Sequence, residues 1–342
     1  MILKSVSPIF RKLKSFLGGS RKLIGWKDSK KHLSIFAARY SPFPINNSSA
    51  RALQSAFVTL IIFLLIFPET QAQPTDSSSN ISSINKTRLA IVGGTLLGSM
   101  VVIHIYQQNG WWKDNRAPFH FQEDLVYGLT VDKMGHFYGG MLLGFTISKS
   151  LEWANVSEQN ALWIGAGGSL LFQTYVELKD GFSKWGFDRV DWLTDLGGAA
   201  WRPARHYIPF LNNFDLKLSY HPSDLLGNPG GIGFKGQKHL IIDDYEGQTF
   251  WLSVKIKNLM PETVAKHIPS FLCLAVGYGA RDVARAEPHR VYFLAPDLDM
   301  TKIIPDDTPF LKTLGEALNF IHFPMPAVQF SSNKTIWYGL YF

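Results

Sequence analysis

Three stretches of this chain place ionisable side chains at helical spacing beside small residues. In "LTVDKMGHFYGGMLLGF" (Leu129 to Phe145), Asp132 and His136 are four apart and share a helix face, with Lys133 next to them. In "FQTYVELKDG", Gln173, Glu177 and Asp180 follow at spacings of four and three, and in "DRVDWLTDLGG", Asp188, Asp191 and Asp195 follow at three and four. If the stripes face one another, one imidazole and six carboxylates converge, with Lys133 and Arg189 as counter-charges. One chemistry open to such a set is ligation of a divalent metal, the cofactor that His136, Glu177, Asp180, Asp191 and Asp195 would take. The ion would relieve the like-charge repulsion that raises carboxylate pKa values, and a bound water could serve in hydrolysis. A second reading is structural. Asp132 and Asp188 stand where helix N-caps belong, Asp180 precedes the stop residue Gly181, and the rest would form a buried hydrogen-bonded network fixing helix register. A third is a polar ligand pocket. The Glu-x-x-His signature of di-iron bundles is absent, and His136 is the only nitrogen ligand within the stripes.

Helices must position these residues. The pattern predicts one from near Asp132 to about Trp153. A second has Ser157 as N-cap and ends at Gly181, and a third is capped by Asp188. Gly140 and Gly144, then Gly165 and Ser169, give four-residue spacings that let backbones approach closely. Ahead of them, Leu89 to Tyr106 carries no formal charge and is just long enough to cross a membrane, with Trp111 and Trp112 where an interface would sit. The alternative is a central helix of a soluble bundle. Short connections predict an antiparallel bundle of about four helices over residues 88–206.

From about Tyr207 the period changes to two. "GQTFWLSVKIKN" alternates Phe250, Leu252, Val254 and Ile256 against Trp251, Ser253, Lys255 and Lys257, the two-residue period of a half-buried strand. "DDYEGQ" before it reads as a hairpin turn. "FLCLAVGYG", "RVYFLAPDLDM" and "KTIWYGLYF" read as further strands, interrupted by a helix with Thr308 as N-cap and Pro309 in first position. Asp297 and Asp299 in "DLDM" are expected to be solvated, and the glycine-rich Gly227–Gly236 stretch to be a loop rather than a phosphate cradle. The aromatic C-terminus has the look of an outer-membrane barrel's last strand, but the strands are too few to close one. The expected fold class is α+β: a helical bundle of about four helices followed by a smaller β-rich domain over 207–342.

Charge is distributed unevenly. The chain has 34 Lys/Arg against 27 Asp/Glu; residues 1–72 hold 11 and two of these, leaving 23 against 25 in the remainder. Basicity therefore marks targeting rather than nucleic-acid binding. Within this basic presequence, Ala56 to Phe67 ("AFVTLIIFLLIF") has the length of a signal-peptide core, followed by small residues before Gln73 and a polar linker over 73–87. Export to the bacterial cell envelope is expected, with an uncleaved presequence or the 89–106 helix as a membrane attachment. The single cysteine, Cys273, lies in an apolar strand-like stretch, so no intramolecular disulfide forms.

"WKDNRAPFHFQED", "DKMGHFYGG" and "FQTYVELKDGFSKWGFDRVDWLTDLGGA" together resemble a bacterial family of unknown function, the YfiM-like group of predicted periplasmic or envelope lipoproteins. The resemblance covers about residues 111–200 and rests on Asp-Lys-x-x-His, then Glu-x-x-Asp-Gly with a nearby Trp-Gly-Phe, then Asp-x-x-x-Asp-x-x-Gly. "DYEGQTFWLSVKI" and "LAVGYGA" look like longer members with an added C-terminal region. A looser similarity, with Asn expected where Asp195 stands, is to VanZ-like membrane proteins. These resemblances imply an envelope location and no assigned activity. They depart from the lipoprotein label in one respect, since no cysteine follows the signal-like core. The leading expectation is a non-catalytic structural or assembly component at a bacterial membrane, partnered by membrane or envelope material. The alternative is a metal-dependent enzyme acting on a lipid or envelope substrate.

Overall fold

The computed structural model describes residues 83–109, 112–228, 239–283, 285, 287–332 and 334–342. The presequence, most of the linker and most of the 227–236 stretch lie outside the described residues. The described chain is α+β, several helices with one antiparallel six-stranded sheet.

Three helices surround the residues singled out above: α2 (Val131–Trp153), α3 (Glu158–Gly181) and α4 (Arg189–Tyr207), preceded by α1 (Lys86–Asn109). Small residues set how closely they pack. Ser169 Oγ donates to the Gly140 carbonyl at 2.7 Å, and a Cβ on Gly144 would stand 3.7 Å from the Gly165 carbonyl oxygen. A Cβ on Gly198 of α4 would collide with the Phe137 carbonyl of α2, so that crossing requires glycine. Caps lie where the sequence puts them: Ser157 accepts from Asn160 N, and Asp188 accepts from the amides of Val190 and Asp191.

Asp132 departs from expectation. It is not a cap, because α2 starts at Val131 after Thr130, whose side chain makes no capping bond. Gly128, Leu129 and Thr130 all have positive φ (55°, 52° and 71°), turning the chain sharply into the helix. Left-handed backbone costs a non-glycine residue on the order of 1–2 kcal/mol. The sheet holds the turn in place: Tyr278 OH donates to the Leu129 carbonyl and lies 2.9 Å from Thr130 Oγ1. The strain thus aims Asp132 and Lys133 into the space between the helices.

Helix α1 lies beside α2 through Val92, which is buried with Ile147, Leu151, Val156 and Ala161. Leu97, Val101 and Val102 are exposed, and α1 is the one helix among the described residues long and apolar enough to cross a membrane. Trp112, expected at a membrane interface, is instead buried against α3 and donates to Asp180 Oδ1 at 2.6 Å.

The sheet runs β1 (Phe214–Tyr220), β2 (Gln248–Val254), β3 (Leu272–Arg281), β4 (His289–Leu298), β5 (Met325–Ser331) and β6 (Lys334–Tyr341), each antiparallel to the next. Helix α5 (Pro309–Leu318), capped by Thr308, joins β4 to β5. "DDYEGQ" is not a tight hairpin; it ends the long connection from Tyr220 to Gln248. Burial along β2 does not follow a simple alternation. Trp251 and Ser253 are fully buried and Leu252 is exposed, while Phe250 is buried against α2 through Tyr138. Asp297 and Asp299 are fully buried as well. Inside the sheet, Lys217 Nζ sits 2.7 Å from Asp297 Oδ2, whose Oδ1 lies 3.0 Å from His322 Nδ1, and the His322 ring stacks on Trp251 at 3.8 Å. Ions are admitted there because they are paired. Cys273 is buried in β3 as expected, and burial pushes its thiol up to about 11.

Candidate metal centre

Helix α2 supplies Asp132, Lys133 and His136; α3 supplies Gln173, Glu177 and Asp180; α4 and its cap supply Asp188, Asp191 and Asp195. Asp195 is wholly buried, and its Oδ1 meets His136 Nδ1 at 3.0 Å and accepts from Gln173 Nε2 at 2.6 Å. Its other oxygen, Oδ2, is buried without a hydrogen-bond partner. Glu177 Oε1 stands 3.7 Å from the same imidazole nitrogen, and its Oε2 accepts from the Asp188 amide at 3.2 Å. On the far side of the ring, His136 Nε2 lies 3.8 Å from both Asp132 Oδ1 and Asp191 Oδ2.

Two groups of potential ligands result, His136–Glu177–Asp195 and Asp132–His136–Asp191, each with its donor atoms within 4.8 Å of one another. His136 belongs to both. Asp180 stands apart, engaged by Trp112, and Asp188 is committed to its cap, to the Asp124 amide and to Lys133. Lys133 is the counter-charge: its Nζ lies 2.8 Å from Asp188 and from Asp191 and 3.2 Å from Asp132. Arg189, the other cation considered from sequence, points away to Glu123 at the surface. Two contributors were not legible in the helical pattern. Tyr245, from the β1–β2 connection, donates to Asp132 Oδ1 at 2.7 Å, and Trp112 lies beyond the end of α1.

The electrostatics follow from crowding. Burial pushes the Glu177 carboxyl up to about 9, helped by Asp191, Asp180 and Asp195 and opposed by His136. Burial likewise lifts Asp180 to about 7, and burial with Asp132 lifts Asp191 to about 7. Burial disfavours a charged His136, but the Asp195 hydrogen bond and the charges of Asp132 and Asp191 outweigh it and hold its pKa well above the usual imidazole range. Lys133 is raised in the same manner by Asp132 and Asp191 against its own desolvation. Asp188 goes the other way, lowered against burial by the Lys133 hydrogen bond. Six carboxylates therefore share two cationic groups, and Glu177, Asp180 and Asp191 hold their protons more tightly than free carboxyls do.

Residues 120–205, which contain every ionisable side chain of the three stripes but not Trp112 or Tyr245, match the family model described as "Predicted periplasmic lipoprotein (DUF2279)". No curated protein and no solved structure matches the chain. The family match supports a cell-envelope location, as the basic, signal-like N-terminal region suggests. It covers about a quarter of the chain and does not extend to the sheet. The lipoprotein part of that description meets a chain whose single cysteine is buried in β3.

Proposed function

We propose that the protein is a membrane-associated component of the bacterial cell envelope whose three-helix centre binds a divalent metal ion. What carries this reading is the surplus of carboxylate around His136, together with the Asp195 oxygen left buried and unpartnered in a ligand group that joins α2, α3 and α4. A mixed imidazole and carboxylate set suits first-row ions such as Mn²⁺, Fe²⁺ or Zn²⁺. His136, Glu177 and Asp195 would hold the ion, with Asp191 and Asp132 on the opposite side of the ring. Held there, the ion would fasten the three helices, a structural role. The exposed apolar length of α1 supports attachment to a membrane.

One observation favours a second reading, a metal-dependent enzyme acting on a lipid or envelope substrate. The His136 side chain is 21% exposed, although Glu177 and Asp195 beside it are buried, so the centre opens on one side. Carboxyls with raised pKa values are suited to proton transfer near neutrality.

Elemental analysis of the purified full chain tests the metal. About one ion per chain is expected, lost in His136→Ala while circular dichroism keeps the helical signal. Wild-type protein that neither retains nor takes up Mn²⁺, Fe²⁺ or Zn²⁺ would overturn it. The two roles separate by readout: a structural ion changes the melting temperature alone, whereas a catalytic one confers hydrolysis of lipid or envelope ester and phosphoester substrates.

A further inference from the structure

The two sides of the His136 ring differ in what already stands there. On the Nδ1 side, Glu177 Oε1 and Asp195 Oδ1 face the ring, and the other donors these carboxylates meet are neutral. Those donors are Gln173 Nε2 on Asp195 and the Asp188 amide on Glu177. Asp195 Oδ2 is buried there with no partner at all. On the Nε2 side, Asp132 and Asp191 face the ring with a cation already between them. Lys133 is buried, and its Nζ donates to Asp132 Oδ2 at 3.2 Å, to Asp188 Oδ2 at 2.8 Å and to Asp191 Oδ2 at 2.9 Å. An ammonium has three N–H groups, so each is spent on a different carboxylate. The cage is braced from outside, because Tyr245 holds the other oxygen of Asp132 and the Asp124 amide holds Asp188. Lysine is buried in proteins only when it is paired in this way. Lys133 and His136 are three residues apart on α2, so one helix face delivers both the imidazole and the cation beside it.

We propose that Lys133 fixes the centre at one metal ion: its ammonium is a tethered cation filling the Asp132–His136–Asp191 group, which accepts a second divalent ion once that charge is removed. The inference rests on the metal reading given above and assigns the ligand group that reading leaves over. Asp132 Oδ1 and Asp191 Oδ2 each stand 3.8 Å from His136 Nε2, and the three donor atoms lie within 4.8 Å of one another. Donors about 2.1 Å from a shared ion can be no more than about 4.2 Å apart, a limit that both 3.8 Å separations meet. By donor type and spacing, this group is therefore as able to hold an ion as the one on the other side of the ring. What separates the two is occupancy. A divalent ion and an ammonium cannot share the space that three carboxylates enclose, because like charges at contact distance repel strongly and one must leave. Lys133 is covalently held and cannot diffuse away, so the mobile ion is the one excluded. Without Lys133, the second ion would stand on Nε2 while the first stands on Nδ1, with the His136 ring between them.

The test is the zinc content of the tag-free full chain after dialysis against Zn²⁺ and desalting, compared between wild type and Lys133→Met. The expected contents are about one ion per chain in wild type and about two in Lys133→Met. Lys133→Met/Asp191→Asn should fall back to about one, and Lys133→Met/His136→Ala should lose both. Lys133→Gln is neutral yet keeps an N–H donor for Asp188, so it takes the place of Lys133→Met if circular dichroism shows that the latter has lost its helices. A charge-free variant that does not fold alone is refolded in Zn²⁺. Recovery with two ions bound supports the proposal, and failure to recover overturns it, since the second ion should replace the lost charge. No gain in Lys133→Met over a wild type that binds one ion overturns the proposal and leaves the metal reading standing. Two ions in wild type overturn it as well, and so does a second ion that survives Asp191→Asn. No ion in wild type overturns the metal reading itself; a gain of one in Lys133→Met would then still support Lys133 as the excluding cation, and no gain would overturn both.

Discussion

Inside the sheet, each buried acid has its own base; among the helices, acids outnumber bases. Lys217 pairs with Asp297, Lys255 bridges Asp215 and Asp299, and Arg205 adds a second partner to Asp215. Although burial opposes it, the hydrogen bond from His322 and the charge of Lys217 hold Asp297 down at about 2. Asp299, also against burial, is lowered by Thr301 and Lys255. Around His136 the directions reverse, with Glu177 near 9 and Asp180 and Asp191 near 7. Both regions desolvate carboxylates to a similar extent, so desolvation does not separate them. The ratio of acid to base does. A balanced set is complete as it stands, whereas a set with surplus acid is built for one more cation, a proton or a metal.

The largest effect that could break this comparison lies in the sheet. Lys217→Met leaves Asp297 buried without its lysine, and losing one partner of a buried pair costs about 3–5 kcal/mol. Urea unfolding should show that loss, and the Lys217→Met/Asp297→Leu double variant should recover much of it. If Lys217→Met were nearly neutral, the sheet interior would not be the closed ionic set described above.

Next in size is the response to metal. A saturating ion at a hundred times its Kd stabilises the folded state by about 2.7 kcal/mol. Differential scanning calorimetry should show that gain in wild type and its absence in His136→Ala, while Lys217→Met, for all its lower stability, keeps the increment. Equal gains in wild type and His136→Ala would place the ion elsewhere.

Acidity sharpens the contrast, because the two regions carry opposite signs. Asp297 has a folded pKa below its unfolded value, so its contribution is present above the unfolded value and lost as pH falls toward 2. Glu177 has a folded pKa above its unfolded value, so the folded state binds the extra proton and stability falls as pH rises from about 4.5 to about 9. Asp180 and Asp191 act in the same sense up to about 7. His136, also raised, contributes stability at low pH that is lost as pH climbs through its folded pKa. Metal-free protein should therefore be most stable in mildly acidic solution and weaken steadily toward pH 9 in urea titrations. Bound metal should flatten that decline by replacing the protons, so an unchanged slope with metal present would count against the centre.

How much of this was legible beforehand differs between the same two regions. Helical spacing put His136, Glu177, Asp191 and Asp195 on stripes that converge if those faces meet, because a four-residue step fixes which residues share a side, and the structure brings the stripes together. Spacing failed for Asp132, whose local environment is set by Tyr245 and by a left-handed turn that no periodicity encodes. In the sheet, alternation located β2 but left its buried side open, since period two fixes which residues share a side and not which side is buried. "FDLKLSY" of β1 alternates as cleanly as any strand here, yet it escaped because its polar residues are the buried ones. The same inversion hid Asp297 and Asp299. A charged residue at every second position of an apolar strand is the signal that would have found both.

The smallest effect is the most discriminating. Glu177→Gln removes a group that holds its proton near neutrality and keeps an oxygen for the Asp188 amide. Without metal, the amide should change stability near neutral pH by no more than about 1 kcal/mol, because it replaces one neutral hydrogen-bonding group with another. The same substitution at a paired buried acid, Asp297→Asn, should cost several times as much, since it strands Lys217. With metal, Glu177→Gln should abolish the stabilising increment, because an amide is a poor ligand where a carboxylate was supplied. Near-neutral without the ion and costly with it is an outcome that a purely structural network cannot produce, so the pair of urea titrations decides between a helix-register network and a metal centre.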